Sequence, residues 1–519
     1  MVNTCIVIMI FLYLAMMLFI GFYSNKKGSG ESSGDFYLGG RKLGPLVTAM
    51  SAEASDMSSW LLMGMPGLAY ICGLSEPFWT ALGLAIGTYL NWLVVSKRLH
   101  RYSVKTESIT IPEFFSNRYR DEKKILTCIA AIIIIIFFVP YTASGFKAIG
   151  TLFHSLFGYD YHISMIVGAV IVVTYTVVGG FLAVSTTDLI QSIVMSAALI
   201  IIVFFGIEYA GGWDAVVSNA KEMDGFLSIT QSRTVELVDG NVVTGTNPYG
   251  FLTIVSTLAW GLGYFGMPHI LLRFMAIKDE KQLKTSRRIG SIWVVIAMSV
   301  AVLIGIIGNA VSKNGVVETF YNTGESETII IKIAEVFAKN GVVFALLAGL
   351  IMAGILACTM STADSQLLAA SSSMSQNLLQ EFGKIKLSKK VEMIIARGTV
   401  IAVALVAMIL AWNPESSVFT IVSFAWAGFG ATFGPLILFS LFWKRSNMWG
   451  ALAGMVSGGI MVFVWKFMIR PLGGAWDIYE LLPAFIVGSV MIVGVSLLTK
   501  APSEEIVKEF EEVAKNKEA

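Results

Sequence analysis

Ser51-Ala52-Glu53-Ala54-Ser55-Asp56-Met57-Ser58-Ser59-Trp60 puts two carboxylates and a row of hydroxyls inside an apolar segment that runs from about Pro45 to Tyr70. Gly64, Pro66 and Gly67 follow, and each weakens a helix. A membrane helix with a polar centre and helix breakers is a poor lipid-facing span. It suits a discontinuous helix, whose freed carbonyls hold a cation while a half-helix N-terminus faces an anion. Ionisable residues inside a membrane segment point to function rather than to packing alone.

Working outward, the composition fixes the class. Of 519 residues, 55% are hydrophobic and 14% charged, and the mean hydropathy is +0.73. A soluble domain of this length has no use for so much apolar surface, so the chain is read as a polytopic, all-α membrane protein. A net charge of +2 gives no footprint for a nucleic acid. The four cysteines (Cys5, Cys72, Cys128, Cys358) and four histidines are scattered through apolar runs and form no disulfide ladder or metal pair. The first apolar run lacks a basic n-region and is long enough to span, so it is not read as a cleaved signal.

Hydropathy predicts about thirteen transmembrane helices, at roughly 4–23, 45–70, 74–96, 125–155, 162–182, 186–209, 249–275, 289–311, 329–378, 391–412, 416–443, 447–468 and 479–499. The ninth is too long for one simple span and must include an extra helix or an extension. Loops after odd-numbered spans carry the lysines and arginines, among them Arg41, Lys97, Arg98, Arg101, Arg118, Lys284 and Lys444. Loops after even-numbered spans carry few, among them Lys221, Arg233 and Lys313. The positive-inside rule then places the N-terminus outside and the C-terminus in the cytoplasm. A transporter domain is expected over residues 1–500, with a solvated cytoplasmic tail at 501–519.

A second disrupted segment reads Leu258-Ala259-Trp260-Gly261-Leu262-Gly263-Tyr264-Phe265-Gly266-Met267-Pro268-His269. Trp260, Tyr264 and Pro268 recur every fourth residue, on one helical face, and coincide with glycine breaks. A cavity wall is the reading. The two broken segments are spans two and seven, five spans apart. That spacing predicts a five-plus-five inverted repeat of LeuT type, about 45–209 and 249–443, with substrate at the midplane.

A third polar island, Cys358-Thr359-Met360-Ser361-Thr362-Ala363-Asp364-Ser365, lies in the ninth span. Cys358, Ser361 and Thr362 share one face of a helical turn. Membrane-helix hydroxyls often bond back to their own backbone. Here two of them stand beside a carbonyl, and unwound carbonyls near Ala54 and Met57 complete a neutral five-oxygen site. Neutral oxygens do not titrate near pH 7, which favours a metal cation over a proton. Calcium sites use several carboxylates, so a site without them suits a monovalent ion.

These residues resemble the sodium/solute symporter family over nearly the whole chain. The resemblance rests on Gly39-Gly40-Arg41, Ser55-Asp56-Met57-Ser58 with Trp60, and YTVVGGFLAVSTTD at 175–188. It also rests on LAWGLGYFGMPHILLRFM at 258–275 and Met360-Ser361-Thr362. It implies sodium bound by the carbonyls of Ala54, Met57 and Cys358 and the hydroxyls of Ser361 and Thr362. Asp56 would serve sodium entry or hold the break, and Asp188 would serve sodium release to the cytoplasm. Arg41 and Ser58 would belong to the coupling path. Trp60, Tyr141, Trp260, Tyr264 and Pro268 match positions lining a pocket for proline. The implied activity is sodium-coupled uptake of that solute across a bacterial plasma membrane, with no catalysis. Transport of another small carboxylate-bearing solute is the alternative, and a nutrient sensor would need a signalling domain that the sequence lacks. Glu53, Ser59 and Met267 depart from the family pattern, at positions where a small residue, glycine and glutamine are more usual.

Overall fold

The computed structural model describes residues 2–28, 33–238 and 241–515. The main helices in chain order are α1 (Val2–Gly28), α2 (Pro45–Ser59), α3 (Met65–Cys72) and α4 (Ser75–Lys105). There follow α5 (Ile111–Tyr119), α6 (Ile125–Phe157), α7 (Tyr161–Tyr209), α8 (Phe251–Leu258) and α9 (Pro268–Ala276). The rest are α10 (Leu283–Lys313), α11 (Ile329–Ala338), α12 (Val342–Phe382), α13 (Lys389–Leu410), α14 (Val418–Phe442), α15 (Met448–Val464), α16 (Leu481–Leu498) and α17 (Glu504–Lys515).

Among the described residues, ten helices are long and apolar enough to cross a membrane, or eleven if the bent pair Phe251–Phe265 and Pro268–Ala276 counts as one span. The expected thirteen is not reached on those grounds. Residues 45–72 fall short because their centre is polar and broken, and Tyr161–Thr174 because it is short. The overlong ninth span resolves into the separate helix α11 and the extended α12. Expected spans five and six are one element, α7, turned at Gly180 (φ 67°, ψ 171°) with no loop between its halves. Glycine is the residue that tolerates that backbone.

The loop expected at about 210–248 carries structure the sequence reading did not anticipate. Trp213–Glu222 is helical, and β1 (Gln231–Val238) pairs antiparallel with β2 (Asn241–Pro248). The tail is a helix and is not fully solvated as expected, because its apolar face docks on the protein, with Ile506, Phe510 and Val513 buried and its acids paired to Lys105, Arg120 and Lys444. Residues 516–519 of that tail lie outside the described residues.

The two broken segments meet in the middle of the bundle. The first is not broken at its glycines or at Pro66. It breaks at Ser58, whose φ of 48° and ψ of −173° interrupt α2. Pro66 sits in the first turn of α3, where the missing N–H costs nothing. Gly67 instead allows a close approach, since a Cβ there would lie 2.7 Å from the Glu327 nitrogen. In the second segment residues 259–265 tighten to a 3₁₀ turn, and the helix restarts at Pro268 with a 45° bend.

Candidate functional site

The break at Ser58 gathers the proposed ion oxygens. The Ser361 hydroxyl donates to the Ala54 carbonyl at 2.8 Å and contacts the Cys358 carbonyl at 3.2 Å. The Thr362 hydroxyl bonds the Cys358 carbonyl at 3.1 Å. Ala54, Cys358 and Ser361 are fully buried and Thr362 nearly so. Ser361 thus joins the Ala54 carbonyl of α2 to the Cys358 carbonyl of α12, while the two contacts with Cys358 are back-bonds to the hydroxyls' own helix. The fifth expected ligand, the Met57 carbonyl, lies at the break and accepts from the Trp60 N–H. These oxygens carry no formal charge, and their residues are buried. That chemistry suits a monovalent cation better than a proton.

Next to this cluster lies a small aromatic cavity. Its walls include Trp60 and Met57 from the first broken segment, Tyr141 from α6 and Trp260 from the second. Asp56, Leu84, Met298, Val422 and Trp426 complete it. Its volume is about 10 Å³, which is room for roughly one water. Trp60 and Trp260 have ring centroids 5.6 Å apart, and Phe419 lies 5.9 Å from the first and 5.5 Å from the second. This aromatic layer separates the cavity from a wider vestibule of about 470 Å³, lined by Glu76, Lys466, Arg470 and Asp477 with Trp260, Phe419 and Tyr479.

Of the five residues expected at the substrate pocket, Trp60, Tyr141 and Trp260 line the cavity. Tyr264 is one step behind, its hydroxyl donating to Asp56 Oδ2 at 2.6 Å. Pro268 is not among the residues lining this cavity; it opens α9, after the 45° bend. The helical i, i+4 argument fails there because 259–265 is not α-helical. Asp56 is held by Tyr264, while the Tyr141 hydroxyl donates to the Asp56 carbonyl at 3.0 Å. Ser58 uses its hydroxyl to accept from the Trp60 N–H at 3.1 Å, which supports the break.

Asp188 sits deeper, in α7. Its carboxylate accepts from the Ser51 hydroxyl at 2.6 Å and from Arg273 at 3.2 Å. Arg273 also reaches Ser51 at 3.0 Å and Ser365 at 2.7 Å. Arg41 is farther toward the basic face. It donates to the Met275 carbonyl (2.6 Å), to the Ser103 carbonyl and hydroxyl, and to the Ser108 carbonyl. Beside it Leu43 forms a parallel bridge with Ile277, so the ends of the two broken segments are zipped together. Arg41 is therefore a latch between elements and not part of the oxygen cluster.

Glu53, the departure from the family pattern, is buried between α2 and α4, accepting from Trp92 at 2.9 Å and Thr88 at 3.2 Å. Gly290 gives it room, for a Cβ there would come within 2.7 Å of Glu53 Oε1. Sequence reasoning missed Arg273, Trp426, Met298, Val422 and the buried Lys147–Glu327 pair. A cation inside a span was a usable signal for Arg273 and Lys147. Nothing local marks Met298 or Val422, which are apolar residues in apolar helices.

The sodium:solute symporter family model matches residues 36–458. A protein from Staphylococcus aureus (strain USA300) named sodium/proline symporter is 40% identical over 513 residues, covering 98% of this chain and 95% of that protein. Two Bacillus subtilis (strain 168) proteins are 41% identical. The high-affinity proline transporter PutP aligns over 95% of this chain and 98% of its own, and the osmoregulated proline transporter OpuE over 97% of each. The fold is shared with a substrate-bound, outward-open Na+-coupled sialic acid symporter, at a TM-score of 0.77 and 18% identity, over 96% of this chain and 99% of that one. The inward-facing Mhp1 transporter aligns at a TM-score of 0.55 and 14% identity, over 91% and 95%. With its broken helices and buried oxygen cluster, the chain belongs to the sodium:solute symporter family.

Proposed function

We propose that this chain imports L-proline together with sodium by alternating access. The observation that carries the proposal is the meeting of two broken segments at one aromatic cavity that Met57 also lines, with the Ser361 hydroxyl bonded to the Ala54 carbonyl in the same broken helix. A zwitterion with a small apolar ring needs that combination: polar groups at helix breaks and aromatic walls with little net charge. The names of relatives at 40 to 41% identity support the same solute. Sodium is assigned to the Ala54, Met57 and Cys358 carbonyls and the Ser361 and Thr362 hydroxyls. The repeats are assigned to about 45–209 and 249–443. The N-terminus is placed outside and the C-terminus, with α17, in the cytoplasm. On this orientation the Leu43–Ile277 bridge, Arg41 and the Asp188–Arg273 pair close the inner side, and Asp188 lies on the route by which sodium leaves.

The driving force suffices. A tenfold sodium gradient supplies about 1.4 kcal/mol and a potential of roughly 100 mV about 2.3 kcal/mol. Together they sustain a several-hundred-fold solute gradient. Proteoliposomes loaded without sodium test the proposal. Labelled proline should accumulate when sodium is imposed outside, and the accumulation should collapse with a sodium ionophore. Uptake that ignores the sodium gradient, or that excess unlabelled proline leaves untouched, overturns it.

A further inference from the structure

The C-terminal helix α17 carries five glutamates and two lysines and docks on basic side chains of three other elements. Glu512 meets Lys105 of α4 at 2.9 Å, Glu509 meets Arg120 at the end of α5 at 2.6 Å, and Glu511 meets Lys444 between α14 and α15 at 3.2 Å. Between these pairs the Phe510 ring lies 5.7 Å from the guanidinium of Arg98 and 5.2 Å from that of Arg118. Both arginines donate to the last turn of α14, Arg98 to the Leu441 carbonyl at 2.8 Å and Arg118 to the Ser440 carbonyl at 2.9 Å. The helix therefore sits over the junction of α4, α5 and α14.

Two features oppose that seating. Arg118 is fully buried, and its Nη1 and Nη2 have no acceptor. Its contacts are a carbonyl and aromatic rings, with no carboxylate among the described residues. A buried guanidinium with two bare nitrogens is costly, and lifting Phe510 would return water to it. The seat is also open on both flanks. A groove of about 620 Å³ runs beside Lys105 and Glu512, and one of about 710 Å³ beside Arg120 and Glu509. The side chains of the Lys105–Glu512 and Lys444–Glu511 pairs are 41 to 61% exposed, so salt screens them. Buried apolar side chains and screened pairs hold α17 down, and a stranded cation pushes it off. Such a balance is what a two-position element requires.

We propose that α17 is a strap released by ionic strength: seated, it ties α4 to α5 and α14 and holds the inner side shut, and rising salt on that side lifts it. The inference rests on the reading of the protein as an alternating-access transporter with its C-terminus inside. The restraint reaches the transport path through α4. Arg41 joins the Ser103 carbonyl of α4 to the Met275 carbonyl at the end of the second broken segment. A strap on α4 therefore also restrains the broken segments. Its release lowers the cost of opening inward and speeds turnover.

The test has two readouts, and the first needs no transport. In the full-length protein in nanodiscs, alkylation of Val513→Cys is followed by mass spectrometry of that peptide. Its rate should rise roughly fivefold or more when potassium chloride goes from about 20 mM to about 500 mM, as the Debye length falls from about 20 Å to about 4 Å. With Lys105→Gln, Arg120→Gln and Lys444→Gln combined, alkylation should be fast at both salts. The second readout is the initial rate of sodium-driven proline uptake into proteoliposomes, with potassium chloride varied inside only and osmolality held constant. The wild type should speed up roughly threefold or more over the same range. Phe510→Ala, and separately a chain lacking residues 501–519, should be fast already at low salt and respond by less than about 1.5-fold. Alkylation at position 513 that ignores salt overturns the release. Wild-type uptake that internal salt leaves flat, or Phe510→Ala protein that stays slow at low salt, overturns the strap. A protein with no sodium-driven proline uptake at any salt sinks the transport reading instead, and the alkylation rates still decide whether salt lifts α17.

Discussion

The buried pair Lys147–Glu327 yields an asymmetric prediction. Lys147 Nζ lies 3.3 Å from Glu327 Oε2, with the side chains 1% and 0% exposed. The two residues are not equally dependent on each other. Glu327 also accepts from the Ser417 hydroxyl at 2.8 Å and from the Val418 and Phe419 backbone N–H groups at 3.1 Å each. Those two N–H groups open α14, so the carboxylate caps a helix whose dipole favours it. Lys147 has Glu327 as its single hydrogen-bond partner among the described residues. Lys147→Met leaves a carboxylate with three donors and should cost about 1–2 kcal/mol. Glu327→Gln leaves a buried ammonium without a counter-charge and should cost about 3–5 kcal/mol. The double substitution removes the stranded charge and should cost clearly less than the two singles added together. With an unfolding entropy of about 2 cal/mol/K per residue, the full chain loses about 1 °C of melting temperature per kcal/mol. The expected drops are therefore about 1–2 °C and 3–5 °C. A thiol-reactive fluorophore reads the transition through the buried thiols of Cys72 and Cys358. Equal losses in the two single variants, or strict additivity in the double, refute the argument.

Further outcomes follow from the same geometry. Ser361→Ala and Thr362→Ala each remove one oxygen from the cluster and should raise the sodium concentration for half-maximal uptake by about tenfold, for a loss of about 1.4 kcal/mol; a sodium titration unchanged in both variants would remove the site from α12. Trp260→Ala takes away a wall that touches Trp60, Phe419 and Tyr479, and should weaken proline affinity by roughly ten- to a hundredfold, an apolar-contact loss of ~1–3 kcal/mol; competition binding measures it. Gly87→Ala sets a Cβ 2.2 Å from the Gly261 carbonyl oxygen, so it should lower folded yield and melting temperature more than Gly494→Ala, where nothing lies within 4 Å. Arg41→Gln cuts most of the contacts joining α4 to the ends of both broken segments, and should raise the alkylation rate of a cysteine introduced at Ser365 from the inner side; an unchanged rate would show that the latch is redundant.

What the sequence determined by itself was local or compositional. Apolar content identified a membrane protein, and polar islands inside apolar runs marked the two broken helices and the α12 oxygens. Ser361 and Thr362 were legible because i, i+3 and i+4 neighbours on a helix are neighbours in space. Outside regular helix that logic failed. Pro268 shares a helical face with Trp260 on paper, but a 3₁₀ turn intervenes and the proline leaves the wall. The break was read from Gly64, Pro66 and Gly67, whereas the backbone turns at Ser58. Its strain there is held by contacts from other segments, including the Tyr141 hydroxyl on the Asp56 carbonyl. Only the tertiary structure decided which charges face each other: Asp188 meets Arg273 from 85 residues away and Lys147 meets Glu327 from 180. It alone also brought Met298, Val422 and Trp426 to the cavity. Periodicity tells which face of a helix is apolar. It carries no information about which distant helix covers that face, because that choice is made by packing complementarity among all the helices at once.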